Sequence, residues 1–245
     1  MRKNKQLVVF RTTEEESCEV LTQGILSADE WKPGASLNRV SEISWEHRYN
    51  QEADMLTQII TANNVKHVIE LGCGPGVLCN KLLSKNNIDS YNLVDIEAAR
   101  EANEKMNLGG SFHVRDLNNG LDLELPNKID LFIANDFLEH IQNPAKVVLD
   151  VKRLMTEDGL AFISVPNWRM GHAWIYRGLF DWDNFIHFMW QHGFGFEGYA
   201  NSILKCAPKP RIHSESTMPD DALDSWNFYM LFKRNDNEQD NLRIA

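Results

Sequence analysis

The chain has 245 residues, with 25 Lys and Arg against 35 Asp and Glu, for a net charge of −10. That balance weighs against a protein built to grip long stretches of nucleic acid, whose phosphates call for clustered Lys and Arg. Hydrophobic residues make up 43% of the sequence, enough for a sizeable core, yet no apolar run approaches the ~20 residues that a membrane-spanning helix requires.

At the start, Arg2, Lys3 and Lys5 are followed by only four apolar residues before Arg11. This lacks the apolar stretch of a signal peptide, so a soluble, cytoplasmic protein with no membrane partner is expected. Cys18, Cys73, Cys79 and Cys206 form no C-x-x-C pair, which favours reduced, buried thiols over a disulfide frame or a zinc knuckle. Residues 1–64 read as a polar extension ending in a cover helix from Trp45 to Asn63, with Tyr49, Ala53, Leu56, Ile59 and Ile60 on roughly one face. Residues 65–233 read as one domain and 234–245 as a polar tail.

From Lys66 the pattern alternates between strand and helix, which predicts a parallel α/β sheet. His67–Leu71 is an apolar run that ends in a glycine loop, and Val77–Leu83 follows as a helix. Tyr91–Val94 is a second strand closing on Asp95, Glu97–Met106 a helix, and Phe112–Val114 a third strand closing on Asp116. The segment 118–128 is too broken for a helix. Ile129–Ala134 is apolar throughout, as expected of a strand buried on both faces. The next helix has Asn143 as its cap, Pro144 at its first position and Gly159 after its end. Its Val147, Val148, Val151, Leu154 and Met155 form one core-facing stripe. Leu160–Val165 is the fifth strand, Asp183–His192 a helix stopped by Gly193, and Phe196–Leu204 and Trp226–Lys233 two closing strands. Between these last two, 205–225 holds three prolines and is expected to be a loop.

The most informative stretch is Glu70 to Gly76, with Gly72, Gly74 and Gly76 on alternate positions after a strand and before a helix. Glycines let the backbone turn sharply and approach a ligand, and a helix start offers free N–H groups. The dinucleotide fingerprint G-x-G-x-x-G does not fit, because position 77 is Val. A pyrophosphate also disfavours a carboxylate such as Glu70 beside it, whereas a sulfonium and an ammonium tolerate one.

The run from Val68 to Gly76 resembles motif I of the class I S-adenosylmethionine-dependent methyltransferases. The resemblance continues in family order through Asn92–Asp95, Val114–Asp116, Ala134–His140 and Ile163–Asn167. It implies a Rossmann-like α/β fold: a seven-stranded, mostly parallel sheet with helices on both faces and an N-terminal helical cover. It also implies S-adenosyl-L-methionine as cofactor. Gly72, Gly74 and Gly76 would pass beneath its methionine part, with Glu70 ordering the loop. Asp95, with Ile96, would meet the ribose hydroxyls, Asp116 and Leu117 the adenine, and Asn135 the methionine moiety. A helix cap or solvated turn is the competing reading for each Asp.

Methyl transfer needs an aligned acceptor and a route for its proton. Asp136, Glu139 and His140 follow the fourth strand at the sheet edge where open α/β folds bind ligands. In a helical turn, their i, i+3, i+4 spacing would bring them together. His140 could then act as a base, the three with a later His could hold a divalent metal, as in the ubiquinone-pathway O-methyltransferases and small-RNA 3′-end methyltransferases this segment resembles, or they could serve structure alone. Residues 168–199 hold eleven aromatics. Trp182, Phe185, Ile186, Met189 and Trp190 form a core stripe that leaves His187 outside it. Trp168, His172, Trp174 and Tyr176 form either an acceptor pocket, with His172 as a second candidate base, or packing for the N-terminal block. The reading is therefore methyl transfer to oxygen or nitrogen of a small-molecule acceptor. Its rivals are a catalytically inactive cofactor-binding partner subunit and, disfavoured by the glycine spacing, a nucleotide-cofactor oxidoreductase.

Overall fold

The computed structural model describes residues 42–166, 182–200, 212–213 and 227–236. In chain order the elements are α1 (Glu42–Asn63), β1 (His67–Leu71), α2 (Val77–Lys85), β2 (Ser90–Asp95), α3 (Glu97–Met106), β3 (Ser111–Val114), β4 (Ile129–Asn135), α4 (Pro144–Leu154), β5 (Met155–Pro166), α5 (Trp182–Gln191), β6 (Phe194–Ala200), β7 (Ile212–His213) and β8 (Asn227–Arg234). Single 3-10 turns lie at Leu117–Asn119 and Leu138–His140.

One sheet runs β3-β2-β1-β4-β5-β8-β6-β7. Its first five strands are parallel. The expected seven strands are all present, and a two-residue strand at 212–213 pairs with β6 at the edge, inside the stretch expected to be loop. β8, the last strand in chain order among the described residues, inserts between β5 and β6 and is antiparallel to both.

The period-two alternation of the strands sorts their side chains onto two cores. Ile69, Leu71, Phe132, Ala134 and Ile163 face one side, where Val147, Val148 and Val151 of α4 and Trp182, Phe185 and Met189 of α5 cover them. Val68, Leu131, Ile133 and Phe162 face the other, covered by Met55, Leu56, Ile59 and Ile60 of α1 and by Leu78, Cys79 and Leu82 of α2. Each buried Val, Leu, Ile, Phe or Met among them contributes about 1.5–3 kcal/mol. The helix at α1 is thus part of the second core. Among the described residues, no helix is long and apolar enough to cross a membrane.

One boundary differs from the sequence expectation. α4 ends at Leu154 rather than near Gly159, and Met155, fully buried, already pairs with Ile129 in the sheet. A buried apolar residue after two basic ones satisfies a strand start as well as a helix stripe, and the tertiary pairing decides. At its other end α4 starts as its sequence indicates: Asn143 Oδ1 accepts from Lys146 N–H at 3.1 Å, and Pro144 opens the helix.

Candidate functional site

The glycine loop leaves β1 at the C-terminal edge of the sheet. Gly72, Gly74 and Gly76 have φ of +64°, +52° and +84°, a left-handed region costly for residues with a Cβ. Their surroundings separate their roles. A Cβ on Gly72 would collide with the Phe137 ring, and one on Gly76 would lie 2.9 Å from Asn103 Nδ2, whereas one on Gly74 would meet nothing within 4 Å. Gly72 and Gly76 therefore serve close packing, and Gly74 leaves the open side of the loop. Beneath it, Asn103 Nδ2 donates to the Pro75 carbonyl at 2.8 Å, a support from α3 that sequence reasoning missed.

Two acids flank the loop. Glu70 is buried and its Oε2 accepts from the Tyr91 hydroxyl at 2.7 Å. Burial pushes its carboxyl up to about 8, helped by the Glu52 and Asp95 charges and opposed by the Tyr91 hydrogen bond. Asp95, at the end of β2, accepts from Gly74 N–H through Oδ2 and from Ile96 N–H through Oδ1, both at 2.7 Å. Burial lifts it to about 6, although both amides favour its charged form. Each oxygen retains a second lone pair, so a vicinal diol fits the donor requirements of this carboxylate.

Asp116 lies beyond β3 as expected, where Oδ1 accepts from Asn118 N–H at 3.0 Å and Oδ2 from Asn119 Nδ2 at 3.2 Å. It caps the turn that buries Leu117. The capping role and a ligand role are compatible for a carboxylate with spare lone pairs.

The opposite wall comes from α1, the end of β4 and β8. Glu52 is fully buried on α1. Its Oε1 accepts from Arg48 Nε and from the Tyr229 hydroxyl, each at 2.7 Å, and its Oε2 accepts from Asn135 Nδ2 at 3.4 Å. Arg48 Nη2 also meets Asp136 Oδ2 at 2.6 Å. Burial opposes the Arg48 charge, but the Asp136 and Glu52 carboxylates more than restore it, so this guanidinium stays charged. Asp136 has φ of +47°, unusual for a residue with a side chain. That turn is held by Asp136 N–H donating to the Ser164 carbonyl at 3.1 Å and by Ser164 Oγ donating to Asp136 Oδ1 at 3.0 Å.

This arrangement separates the three side chains expected to converge. The turn is 3-10 over Leu138–His140 and excludes Asp136, whose carboxylate goes to Arg48 and Ser164. Glu139 is fully buried, while the His140 side chain is 42% exposed, with Nε2 at 3.6 Å from Glu139 Oε1. Among the described residues, no group of three His, Cys, Asp or Glu is placed to hold a metal ion. Trp168, His172, Trp174 and Tyr176 lie outside the described residues.

Sequence reasoning missed Arg48, Glu52, Tyr229 and Ser164. One signal was available: Glu52 falls on the same helical stripe as Tyr49, Ala53 and Leu56, and a charge in an apolar stripe calls for a buried partner.

The residues present fit the cofactor that the glycine loop suggests. The Gly74 side is open, Asp95 can accept a diol, and Asn135 Oδ1 is buried without a hydrogen-bond partner among the described residues. Comparison with known proteins agrees. A family described as a methyltransferase domain matches residues 44–196. The ubiquinone biosynthesis O-methyltransferase of Nitrosomonas europaea is 24% identical over 139 residues, 56% of this chain and 57% of that protein. Its counterpart from Glaesserella parasuis is 30% identical over 110 residues, 42% of this chain and 46% of that protein. The matches thus span about half the length of these curated relatives. Among solved structures, an S-adenosylmethionine-dependent methyltransferase from Clostridium acetobutylicum superposes with a TM-score of 0.57 at 11% identity, over 82% of this chain and 95% of that one. The N-methyltransferase NodS from Bradyrhizobium japonicum, in complex with S-adenosyl-L-homocysteine, superposes with a TM-score of 0.53 at 12% identity, over 90% and 99%. At such identities the superpositions show a shared fold. The family match over more than half of the sequence shows more: the chain belongs to the class I S-adenosylmethionine-dependent methyltransferase family.

Proposed function

We propose that this chain transfers a methyl group from S-adenosylmethionine to an oxygen or nitrogen of a small-molecule acceptor. The observation that carries the reading is the open Gly74 turn, tied to Asp95 across from the unpartnered Asn135 oxygen. In this reading Asp95, with the Ile96 backbone, takes the ribose hydroxyls, Gly72–Gly76 underlie the methionine part, Asp116 and Leu117 border the adenine, and Asn135 meets the amino-acid end. The bound cofactor supplies an electrophilic methyl group. The chain's part is to align an acceptor with it, exclude water and take the acceptor's proton. His140 is the base we assign, since it is exposed at the end of β4 where the acceptor would sit. Oxygen is the favoured acceptor atom because the curated relatives carry an O-methyltransferase name.

Calorimetry with S-adenosylhomocysteine and with NAD, followed by turnover of phenol and amine panels, tests the reading. Binding of the first ligand alone and methylation of one panel are expected. His140→Ala should then lower the rate about 10²–10⁴-fold, less at high pH where hydroxide replaces the base, while a chelator has no effect. Loss of activity on chelation, with rescue by a divalent ion, would replace the base assignment by a metal-assisted one. Cofactor binding without turnover of either panel would favour the partner-subunit reading, and NAD binding alone the oxidoreductase reading.

A further inference from the structure

Glu52 is a fully buried carboxylate with no place in the family-derived set of cofactor contacts. Among the described residues its two oxygens are used unequally: Oε1 receives Arg48 Nε and the Tyr229 hydroxyl, and Oε2 receives Asn135 Nδ2. A carboxylate in an ion pair accepts hydrogen bonds and donates none. The Asn135 atom facing it must therefore be the amide nitrogen, which turns the amide oxygen away from Glu52. That oxygen is buried and has no hydrogen-bond partner among the described residues. Asn135 stands directly after the Ala134–Leu71 register pair, so it flanks the turn at Gly72. A buried acceptor left without a donor is costly, and a ligand that brings one recovers that cost.

We propose that Glu52 is a positioning residue that fixes the Asn135 amide with its oxygen towards the cofactor site, where it accepts a hydrogen bond from the ammonium of the cofactor's amino-acid end. This rests on the cofactor reading above and adds a specific device to it. An ammonium group only donates, so an amide held oxygen-first selects it, whereas an amide free to rotate could satisfy a donor or an acceptor.

The substitution Glu52→Gln separates this role from a structural one. The Gln oxygen can keep the two donors at the Oε1 position, and its amide nitrogen then faces Asn135. Two NH₂ groups cannot face each other, so Asn135 turns over and offers nitrogen to the site. The measurement is the ratio of dissociation constants for S-adenosylhomocysteine and for its analogue lacking the α-amino group. Wild-type protein should prefer the amine-bearing ligand about 10- to 100-fold. In Glu52→Gln that ratio should fall close to one, through weaker binding of S-adenosylhomocysteine at unchanged affinity for the analogue. A purely structural role would weaken both ligands alike and preserve the ratio, which would overturn the proposal. Should Glu52→Gln fail to fold, Asn135→Ala carries the same test: the preference must vanish, and its survival overturns the assignment. Wild-type protein that binds neither ligand would instead overturn the cofactor reading itself, and this device with it.

Discussion

The wall formed by Gly72–Gly76 and the wall formed by α1, the β4 end and β8 flank the same sheet edge, yet different contacts hold them. The glycine wall is backbone: three glycines in the left-handed region, a carboxylate on the Gly74 and Ile96 amides, and an Asn103 amide on the Pro75 carbonyl. Most of its parts lie within about 30 residues, and most are visible as a spacing of small residues. The other wall is side chain against side chain, and its Glu52–Tyr229 contact joins residues 177 positions apart. A backbone cradle depends on what a few residues lack, while an ionic wall depends on partners that meet only once the sheet is complete.

The largest effect should come from breaking the ionic wall at its centre. Arg48→Met leaves Glu52 and Asp136 without their shared cation, and removing one member of a buried ion pair costs about 3–5 kcal/mol. Chemical denaturation should show that loss. A loss below 1 kcal/mol would mean that solvent already screens the pair and that the two walls do not differ in kind.

On the glycine wall, Asp95→Ala should act on binding more than on folding. A carboxylate that accepts ribose hydroxyls contributes about 1.5–3 kcal/mol, so affinity for S-adenosylhomocysteine should fall about 10- to 150-fold in calorimetry. Because burial lifts Asp95 to about 6 and binding favours its ionised form, wild-type affinity should weaken as pH falls through 6 and level off above it. An affinity insensitive both to the substitution and to pH would remove Asp95 from the ribose.

A pH-dependent effect belongs to Glu70. Its folded carboxyl titrates near 8 while an unfolded one titrates in the ordinary carboxylate range. The folded state therefore holds the proton more tightly, and the stability this brings is complete at low pH and is lost as pH rises towards 8. Glu70→Gln keeps an acceptor for the Tyr91 hydroxyl and removes that loss. Its melting temperature should match the wild type at pH 4 and exceed it at pH 9, with the gap widening between those values. A difference constant with pH would show that Glu70 is ionised throughout.

Legibility followed the same division. The strands, the helices on both faces and the glycine loop were readable because period-two alternation, an apolar stripe and alternate glycines are local patterns. The end of α4 is not legible locally because Met155 satisfies a helix stripe and a strand start equally, and only its pairing with Ile129 resolves the two. Asp136, Glu139 and His140 were expected to converge because their spacing suits an α-helix. A 3-10 turn preceded by a left-handed Asp136 sends them to a salt bridge, the interior and the surface instead. Arg48 and Glu52 are one helical turn apart and readable as a pair. Tyr229 belongs with them only through the sheet order, which no local pattern encodes.

That sheet order also shapes how the molecule is made. A chain emerging from the ribosome delivers β1 to β6 first, and β8 must then enter between two strands already present. Until residues 227–234 arrive, the β5 edge carries unpaired backbone groups beside Phe162 and Ile163, an invitation to pair with another nascent chain. The late strand brings Tyr229 with it. The ionic wall is therefore locked only once residues 227–234 have been made, and a chain stalled before them would present a finished glycine loop beside an open sheet.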